Sequence, residues 1–406
     1  MKPSTPVREC DGGVTTPRGF RAGGLYCGIR KAKKDIAIIV SQSPATVAAV
    51  FTINKTQAAP LIVDKMQLQR SPLCSALVVN SGNANACTGE RGLNDAWEMV
   101  RTASEAIGVP EEQVLVSSTG VIGQYLPMDR VVSGIRQLAP VLTETGGRDA
   151  AEAIMTTDTY SKETAVQFSL GKSLVTIGGM AKGSGMIAPN MATMLAFITT
   201  DVRISRPLLQ KALMRANNRS FNRITVDGDM STNDMVVVLA NGLAENEPFG
   251  EHSEEFHLFC AALEYVMIKL AKMIARDGEG ATKLIEIYVK GARTEEEAAQ
   301  AARSVANSNL VKTALHGCDA NWGRIMAAVG YSGIDMDPEQ IEIRFNDLPI
   351  LNKHYEIVLD EEKARSALAL EQVLVTIDLN QGSQSARFWT CDLTKEYVHI
   401  NASYRS

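Results

Sequence analysis

Several features that mark common classes of protein are scarce in this sequence. It has no run of about 18 uninterrupted apolar residues and no apolar secretion signal near its start, so we expect a cytoplasmic protein without a membrane span. Its seven cysteines are scattered and form no C-x-x-C pair, which predicts reduced thiols. Its five histidines lack the spacing of metal ligands, so no metal is expected.

An excess of basic charge is also missing. The chain has 41 Lys and Arg residues against 46 Asp and Glu residues, a formal net charge of -5. This balance lacks the electrostatic footprint of a nucleic-acid-binding protein, and we expect neither a nucleic acid nor a membrane as a partner. The one short basic run, from Arg30 to Lys34, is expected to be a solvated turn.

What the sequence does contain is a mixture of strand and helix patterns, which predicts an α/β or α+β fold. Short β-branched runs predict strands at Ile36–Val40, Ala76–Val79, Val114–Val116, Leu174–Ile177, Met194–Thr199, Met235–Leu239 and Leu284–Val289. Amphipathic stretches predict helices at Asn94–Ile107, Ser205–Asn217, Glu254–Arg276 and Thr294–Asn307. Alternating residues near the C-terminus predict antiparallel strands at Ile341–Phe345, Tyr355–Leu359, Leu374–Leu379, Ala386–Leu393 and Glu396–Ile400.

One glycine-rich segment lies between two of the predicted strands. Gly183, Gly185 and Ala188 match the dinucleotide-binding pattern G-x-G-x-x-A. A dinucleotide fold needs a helix of about ten residues or more after these glycines. Because Pro189 and a new β-rich run near Thr193 leave no room for that helix, a nicotinamide-linked dehydrogenase is the disfavoured alternative, beside a binding protein that is not processed.

The same segment could instead deliver a nucleophile. A threonine hydroxyl is weakly nucleophilic without an adjacent base, and the smallest such base is the α-amine of the same residue. Thr193 gains a free amine only if its bond to Ala192 is cut, which an N-to-O acyl shift by its own hydroxyl followed by hydrolysis would achieve. On pattern alone, an ordinary glycine loop before a buried strand stays open as the alternative.

The segment Lys182–Leu195 resembles the self-cleavage signature of the ornithine acetyltransferase family, whose members move an acetyl group from N-acetylornithine to glutamate. Further blocks resemble the family in the family's own order: Asn80–Ala86, Ser117–Gly123, Met155–Thr159, Val226–Asp229, Asp277–Lys283 and Asn401–Ser406. A match over several blocks is far more specific than a lone G-x-G pattern.

The resemblance implies an α/β (α+β) fold, a layered sandwich of sheets and helices with a smaller C-terminal α/β domain. The large catalytic domain would cover residues 1–280 and be self-cleaved between Ala192 and Thr193. The smaller domain would cover residues 281–406, and its last residues would return to the active site. Two copies each of fragments 1–192 and 193–406 are expected to assemble as a heterotetramer.

The resemblance also assigns roles to individual residues. Thr193 would be the nucleophile in self-cleavage and then in catalysis, and Thr119 and Gly120 would stabilise the oxyanion. The substrate-binding residues would be Thr156, Lys182, Thr193, Glu279, Asn401 and Ser406. On pattern alone, Lys182 could equally be a solvated loop lysine and Glu279 a cap on the turn after a long helix.

The implied enzyme is a glutamate N-acetyltransferase of arginine biosynthesis that works through an acetyl-Thr193 intermediate. N2-acetyl-L-ornithine and L-glutamate would be its substrates, and it would need no cofactor. Some family members also accept acetyl-CoA as a co-substrate, and the sequence leaves this second activity open. The alternative is an N-terminal-nucleophile amidohydrolase or aminopeptidase that uses water as the acceptor. Such a hydrolase would have no need for a set of glutamate-binding residues.

Overall fold

The computed structural model describes residues 7–188 and 194–403. The chain divides into two compact units. The described part of the first unit holds residues 7–183, 194–222 and 230–270, and that of the second holds residues 184–188, 223–229 and 271–403. The domain boundary predicted after residue 280 stays a prediction.

The first unit contains a sheet of nine strands among the described residues. In chain order they are β1 (Arg8–Cys10), β2 (Phe20–Leu25), β3 (Ile36–Phe51), β4 (Leu73–Asn83), β5 (Val114–Val121), β6 (Lys162–Leu170), β7 (Ser173–Lys182), β8 (Leu195–Thr200) and β9 (Met235–Ala240). The order in the sheet is β1-β6-β7-β8-β9-β3-β4-β5, and β2 pairs with β3.

Strand β3 connects two layers of this sheet. Its first part pairs with β2 through Ile36 to Ser41, whereas its last part pairs with β9 through Thr46 to Phe51. The register to β4 shifts between Val40 and Ala45, where the sequence Ser-Gln-Ser-Pro interrupts the apolar run. Proline in a strand is confined to edges and bulges, so this break in the sequence accounts for the irregular pairing.

The core of the first unit lies between the two layers. Leu77 and Val79 on β4 share one buried cluster with Met180, Phe197 and Val237 on the strands of the other layer. The opposite face of β3 and β4 packs against helices through a second cluster that contains Ile36, Ile38, Val78, Met99 and Ile135. Because both faces are covered, these strands read as continuous apolar runs without alternation.

The helices of this part of the chain are α1 (Ala59–Arg70), α2 (Gly89–Ile107), α3 (Met128–Leu138), α4 (Gly147–Ala153), α5 (Arg206–Arg219) and α6 (Glu254–Arg276). Within the first unit, α6 covers β7 closely, since a Cβ at Gly179 would lie 3.0 Å from Leu270 and 3.4 Å from Val266. Helix α6 has the bounds that its apolar spacing predicts.

The second unit contains a sheet of five strands among the described residues, in the order β12-β11-β13-β10-β14. Its strands are β10 (Leu284–Ala292), β11 (Glu342–Phe345), β12 (Leu348–Leu351), β13 (Gln372–Asp378) and β14 (Gln384–Cys391). Its helices are α7 (Glu295–Asn307), α8 (Asn309–His316), α9 (Trp322–Gly330), α10 (Glu361–Leu368) and α11 (Lys395–Ala402). One core of small and β-branched residues, including Ile287, Ala302 and Val375, lies within this unit.

Two of the predicted C-terminal strands are wrong. Glu396–Ile400 lies in helix α11, because the side chain of Thr394 accepts a hydrogen bond from the Tyr397 N–H and caps the helix. Tyr355–Leu359 contains only a single bridge, between Leu351 and Ile357, because Tyr355 ends a short helical turn with a positive φ of 59°. Strand β13 also runs parallel to β10, although its other neighbour β11 is antiparallel as predicted.

The other predicted strands and helices are confirmed, with shifted ends except for α6, and the α/β class is confirmed. The layered sandwich predicted for the large domain corresponds to the two sheet layers of the first unit. None of the described helices is long and apolar enough to cross a membrane.

Candidate active site

Thr119 and Gly120 lie at the end of β5. Parallel pairing with β4 sets Thr119 beside Ser81 and Gly120 beside Gly82. Gly120 has a φ of +132°, and a Cβ at this position would lie 2.3 Å from the carbonyl carbon of Gly82. Only glycine fits such a close approach of two backbones. The local structure therefore requires a glycine at position 120, the position predicted to help stabilise the oxyanion.

Buried amide groups support the peptide that precedes Thr119. The Ser118 hydroxyl donates to Oδ1 of Asn80 at 2.6 Å, and Nδ2 of Asn233 donates to the Ser118 carbonyl at 2.8 Å and to the Ala84 carbonyl at 2.6 Å. The Ser118 carbonyl and the Thr119 N–H belong to one peptide plane. These bonds therefore hold the backbone at Thr119, one of the two residues predicted to stabilise the oxyanion, in one orientation.

Lys182 ends β7 and reaches Thr119. Its side chain is buried, and its Nζ donates to Oγ1 of Thr119 at 3.3 Å. In the sheet order, β5 is the fifth strand along from β7. At about 4.8 Å between neighbouring strands, the two would lie about 24 Å apart in a flat sheet. The contact between Lys182 and Thr119 therefore depends on the folding of the two sheet layers over each other. The reading of Lys182 as a solvated loop lysine is wrong.

Asp158 organises the same corner of the first unit. Its Oδ1 accepts from the buried Lys162 ammonium and from the Gly183 N–H, both at 2.7 Å, and its Oδ2 accepts from the Thr156 N–H at 2.9 Å. Burial alone would raise the pKa of Asp158, but the charges of Lys162 and Lys182 and these hydrogen bonds outweigh it and lower the pKa. A buried carboxylate therefore links Thr156 to the end of β7.

Thr156 is half-buried and its backbone is held from a second side. The Arg30 guanidinium donates to the Met155 carbonyl at 2.8 Å and to the Thr156 carbonyl at 3.1 Å. The expectation that the basic run at 30–34 is only a solvated turn is therefore wrong for Arg30. Charge patterning could not show this, because the two carbonyls come from a segment more than a hundred residues away.

The connection between β7 and β8 carries the proposed cleavage site. Antiparallel pairing sets Lys182 opposite Leu195, and Met194 accepts a hydrogen bond from the Met235 N–H at 3.0 Å. Ala192 and Thr193 lie outside the described residues. Since dinucleotide binding requires parallel strands joined by a helix, the antiparallel pairing of β7 and β8 contradicts the dehydrogenase alternative.

In the second unit, hydrogen bonds hold Glu279. Its N–H donates to the Ser184 carbonyl at 2.9 Å, and the Ser184 hydroxyl donates to the Asp277 carbonyl at 2.6 Å. Asn401 on α11 donates from Nδ2 to Oε2 of the buried Glu279 at 2.7 Å. Two predicted substrate residues are thus in contact, although 122 positions separate them in sequence.

The glycine-rich segment also lies against the carboxylate of Glu279. A Cβ at Gly185 would lie 2.4 Å from the carboxyl carbon of Glu279. Asp227 holds the residues that follow by accepting from the N–H groups of Met186 at 2.6 Å and Ile187 at 2.9 Å. The glycine of the G-x-G pattern therefore allows close approach of Glu279 and not of a pyrophosphate.

Tyr397 on α11 contacts Asp227, the residue that holds the backbone of Met186 and Ile187. Its hydroxyl donates to Oδ2 of Asp227 at 3.3 Å. Burial, followed by the negative charge of Asp227, raises the pKa of the Tyr397 hydroxyl, which stays protonated as a donor. Ser406, the last predicted substrate residue, lies outside the described residues. Within the described chain, no group of three or more His, Cys, Asp or Glu side chains could hold a metal ion.

Residues 21–406 match the model of the ArgJ family. The chain belongs to the ArgJ family. Two relatives named arginine biosynthesis bifunctional protein ArgJ cover nearly its whole length. The relative from Symbiobacterium thermophilum is 53% identical over 97% of this chain and 99% of its own, and that from Oceanobacillus iheyensis is 50% identical over 99% and 100%.

A solved structure of Mycobacterium tuberculosis ornithine acetyltransferase, complexed with ornithine, is 37% identical over 46% of this chain and 100% of its own, with a TM-score of 0.43. Membership of the ArgJ family confirms the resemblance predicted from the sequence blocks. It also confirms the prediction of an enzyme of arginine biosynthesis.

Two residues of the candidate site, Asp158 and Asn233, had no role in the sequence-based prediction. Asp158 lies inside the Met155–Thr159 block, four residues before β6, and Asn233 lies two residues before β9. A polar residue shortly before a strand is the only local signal for either of them. Ser118, the partner of Asn233, can be identified only once the strands are paired, whereas Lys162 lies four residues from Asp158 and the burial of this ion pair is evident only in the fold.

Proposed function

We propose that this chain transfers the acetyl group of N2-acetyl-L-ornithine to L-glutamate through an ester on Thr193. Its membership of the ArgJ family, whose relatives are named for arginine biosynthesis, supports this function. The structural observation that carries the proposal is the contact of Lys182 with Thr119, because Lys182 pairs with Leu195, two residues beyond Thr193.

Thr119 and Gly120 stabilise the charge that develops on the carbonyl oxygen under attack. The Lys182 ammonium donates to Oγ1 of Thr119, so the hydroxyl hydrogen of Thr119 is available for donation to the oxyanion. The nearby positive charge also makes that hydroxyl a stronger donor. A side-chain O–H and a backbone N–H at one strand end form an oxyanion hole of the ordinary composition.

Thr193 acquires its amine by self-cleavage of the bond to Ala192. The amine then accepts the hydroxyl proton during attack and returns it to the departing amine of ornithine. Glutamate attacks the acetyl ester in the second step. We propose that fragments 1–192 and 193–406 stay associated, two copies of each, because strands from both fragments pair within the nine-stranded sheet.

The remaining assignments follow the chemistry of an α-amino acid. The Lys182 ammonium suits a carboxylate, and the buried Glu279 carboxylate suits an ammonium. Asn401 fixes the orientation of that carboxylate through its 2.7 Å hydrogen bond. The assignments of Thr156 and Ser406 to substrate binding also remain proposals.

We propose a second activity, the acetylation of glutamate by acetyl-CoA. The word bifunctional in the names of the relatives favours it. Purified enzyme given acetyl-CoA and glutamate without N-acetylornithine should form N-acetylglutamate. Absence of this product while the exchange with N-acetylornithine proceeds would show that the chain is monofunctional. A cytoplasmic location is also proposed, which the seven unpaired thiols support.

Intact mass of the purified protein tests the nucleophile. Wild type should consist of two fragments that begin at Met1 and Thr193, and Thr193→Ala should be one inactive chain. A wild-type protein that stays uncut and fully active would overturn the mechanism. Release of ornithine from N-acetylornithine should also accelerate with glutamate, and release that is independent of glutamate would favour the hydrolase.

A further inference from the structure

Arg30 has no role in the mechanism described so far, although it contacts the segment that carries Thr156. Its Nη1 donates to the Met155 carbonyl at 2.8 Å, and its Nη2 donates to the Thr156 carbonyl at 3.1 Å. Hydrogen bonds from a charged donor are stronger than those between neutral groups. Because the guanidinium is planar and rigid, one side chain holds the carbonyls of two successive residues in a fixed relation.

The backbone of Arg30 is itself fixed by a buried carboxyl group. Oδ1 of Asp35 accepts from the Cys27 N–H at 2.7 Å, and its Oδ2 accepts from the N–H groups of Gly28 at 3.0 Å and Arg30 at 2.9 Å. Asp35 is fully buried, and its carbonyl accepts from the Ser81 N–H on β4 at 2.9 Å. The turn that carries Arg30 is therefore anchored to β4 near the end of that strand.

The stem of the Arg30 side chain lies close to the strand end that carries Gly120. A Cβ at Gly82 would lie 2.6 Å from Cγ of Arg30 and 3.5 Å from its Cδ. Gly82 lies beside Gly120 in the parallel pairing of β4 and β5, where the two backbones are in close contact. Arg30 therefore extends from the glycine predicted to help stabilise the oxyanion to the carbonyl of Thr156.

A second contact ties the same segment to β4. The buried Ser81 hydroxyl donates to the Ala153 carbonyl at 2.7 Å, and Ser81 pairs with Thr119. This bond fixes the start of the segment, where α4 ends, whereas Thr156 lies three residues further on and is held by Arg30. Since a binding group has to be held within about 0.5 Å of its productive position, the anchor at Thr156 decides how precisely that residue is placed.

We propose that Arg30 is a positioning residue of acetyl transfer, which holds Thr156 in a fixed place relative to Thr119 and Gly120. This inference rests on the proposed function, because it requires Thr156 to bind the substrate. Arg30 itself does not contact the substrate, and its effect passes through the backbone of Thr156.

Steady-state kinetics of acetyl transfer by fully cleaved Arg30→Ala test the inference. We expect KM for N-acetylornithine and for glutamate each to rise by about tenfold or more, the effect of losing a hydrogen bond to a charged group. The value of kcat should stay near that of wild type, because Asn233 holds the peptide before Thr119 independently. Arg130→Ala is the matched control, since Arg130 also donates to a carbonyl of this turn, that of Gly28, and should leave KM unchanged.

A double variant shows whether Arg30 acts through Thr156. Thr156→Val should raise KM by removing the hydroxyl group, and adding Arg30→Ala to Thr156→Val should raise KM little further, because the effects of residues in contact are not additive. A merely structural role of Arg30 would add its full effect with either residue at position 156. Arg30→Lys keeps the positive charge but lacks the planar fork of donors, so its KM should lie between those of wild type and Arg30→Ala.

The outcomes separate this inference from the proposed function. A raised KM in Thr156→Val with wild-type KM in Arg30→Ala would overturn the role of Arg30 and leave the proposed function standing. A fall in kcat at unchanged KM, or additive effects in the double variant, would also reject that role. An unchanged KM in Thr156→Val would remove Thr156 from the substrate site and the role of Arg30 with it, whereas Thr193→Ala tests the nucleophile separately. Should Arg30→Ala not fold, Arg30→Lys decides by the same comparison.

Discussion

Lys182 and Thr119 are joined by a hydrogen bond of 3.3 Å from Nζ to Oγ1, across the two layers of the first unit. Both side chains are buried. An ammonium group has no acceptor, so Thr119 must use a lone pair in this contact. Its hydroxyl hydrogen is then available for donation to another acceptor, which is the requirement for stabilising an oxyanion.

Replacing Thr119 by Val should lower kcat by about 100-fold to 1000-fold with little change in KM, the usual effect of removing one oxyanion donor. Thr119→Ser is the matched control, because it keeps the hydroxyl group and should retain most of the activity. Steady-state kinetics of acetyl transfer measure both variants. A Val variant with wild-type kcat would contradict the oxyanion role.

Gly120→Ala should destabilise the fold far more than Gly123→Ala. Both glycines have a positive φ, +132° and +78°, but a Cβ meets the Gly82 backbone at 2.3 Å in the first and nothing within 4 Å in the second. We expect a loss of about 1–2 kcal/mol for Gly123→Ala from backbone strain alone. Gly120→Ala should lose about 1–3 kcal/mol more through crowding. Denaturant unfolding measures both, and equal losses would contradict the close approach of β4 and β5.

Asp64 makes stability depend on pH. It is fully buried on α1, where Oδ1 accepts from the Val116 N–H at 2.9 Å. Burial raises the pKa of Asp64 well above its ordinary range, against a smaller effect of the Val116 N–H. Above the unfolded pKa of about 3.9, the unfolded chain therefore binds fewer protons than the folded one, and the free energy of unfolding falls as pH rises.

Asp64→Asn should remove this dependence. We expect the variant to be more stable than wild type near neutral pH, and the difference to shrink as pH falls toward about 4. Urea unfolding at several pH values measures the difference. A difference that is the same at every pH would show that Asp64 is ionised in the folded protein.

Local patterns predicted the elements better than their lengths and partners. The spacing of apolar residues in 254–276 predicts α6 with its observed ends, because a long amphipathic helix depends on its own periodicity. Strand β3 is far longer than predicted, because Ser-Gln-Ser-Pro interrupts its apolar pattern while pairing with β4 and β9 continues. At 396–400, alternation predicted a strand, and the Thr394 cap produced a helix instead.

The candidate site was accessible from sequence only through family resemblance. Lys182 and Thr119 are 63 residues apart, and their contact requires the order and folding of the sheet layers. The role of Arg30 was not predicted because the Met155 carbonyl that it contacts is 125 residues away in sequence. The role of Asp158 was not predicted because the sequence does not show that its ion pair with Lys162, four residues away, is buried. The pattern of charged residues along the chain does not show which ion pairs are buried in the fold.

Gly185→Ala should weaken substrate binding by displacing Glu279. The new Cβ would lie 2.4 Å from the carboxyl carbon, so the flexible carboxylate must move and lose its 2.7 Å hydrogen bond from Asn401. Because a hydrogen bond to a charged group contributes about 1.5–3 kcal/mol, we expect KM for glutamate to rise by about tenfold or more. Glu279→Gln should raise KM in the same direction. Gly250→Ala, where a Cβ meets nothing within 4 Å, should leave KM unchanged. Steady-state kinetics on fully cleaved protein make the comparison, and an unchanged KM in both Gly185→Ala and Glu279→Gln would remove Glu279 from the substrate site.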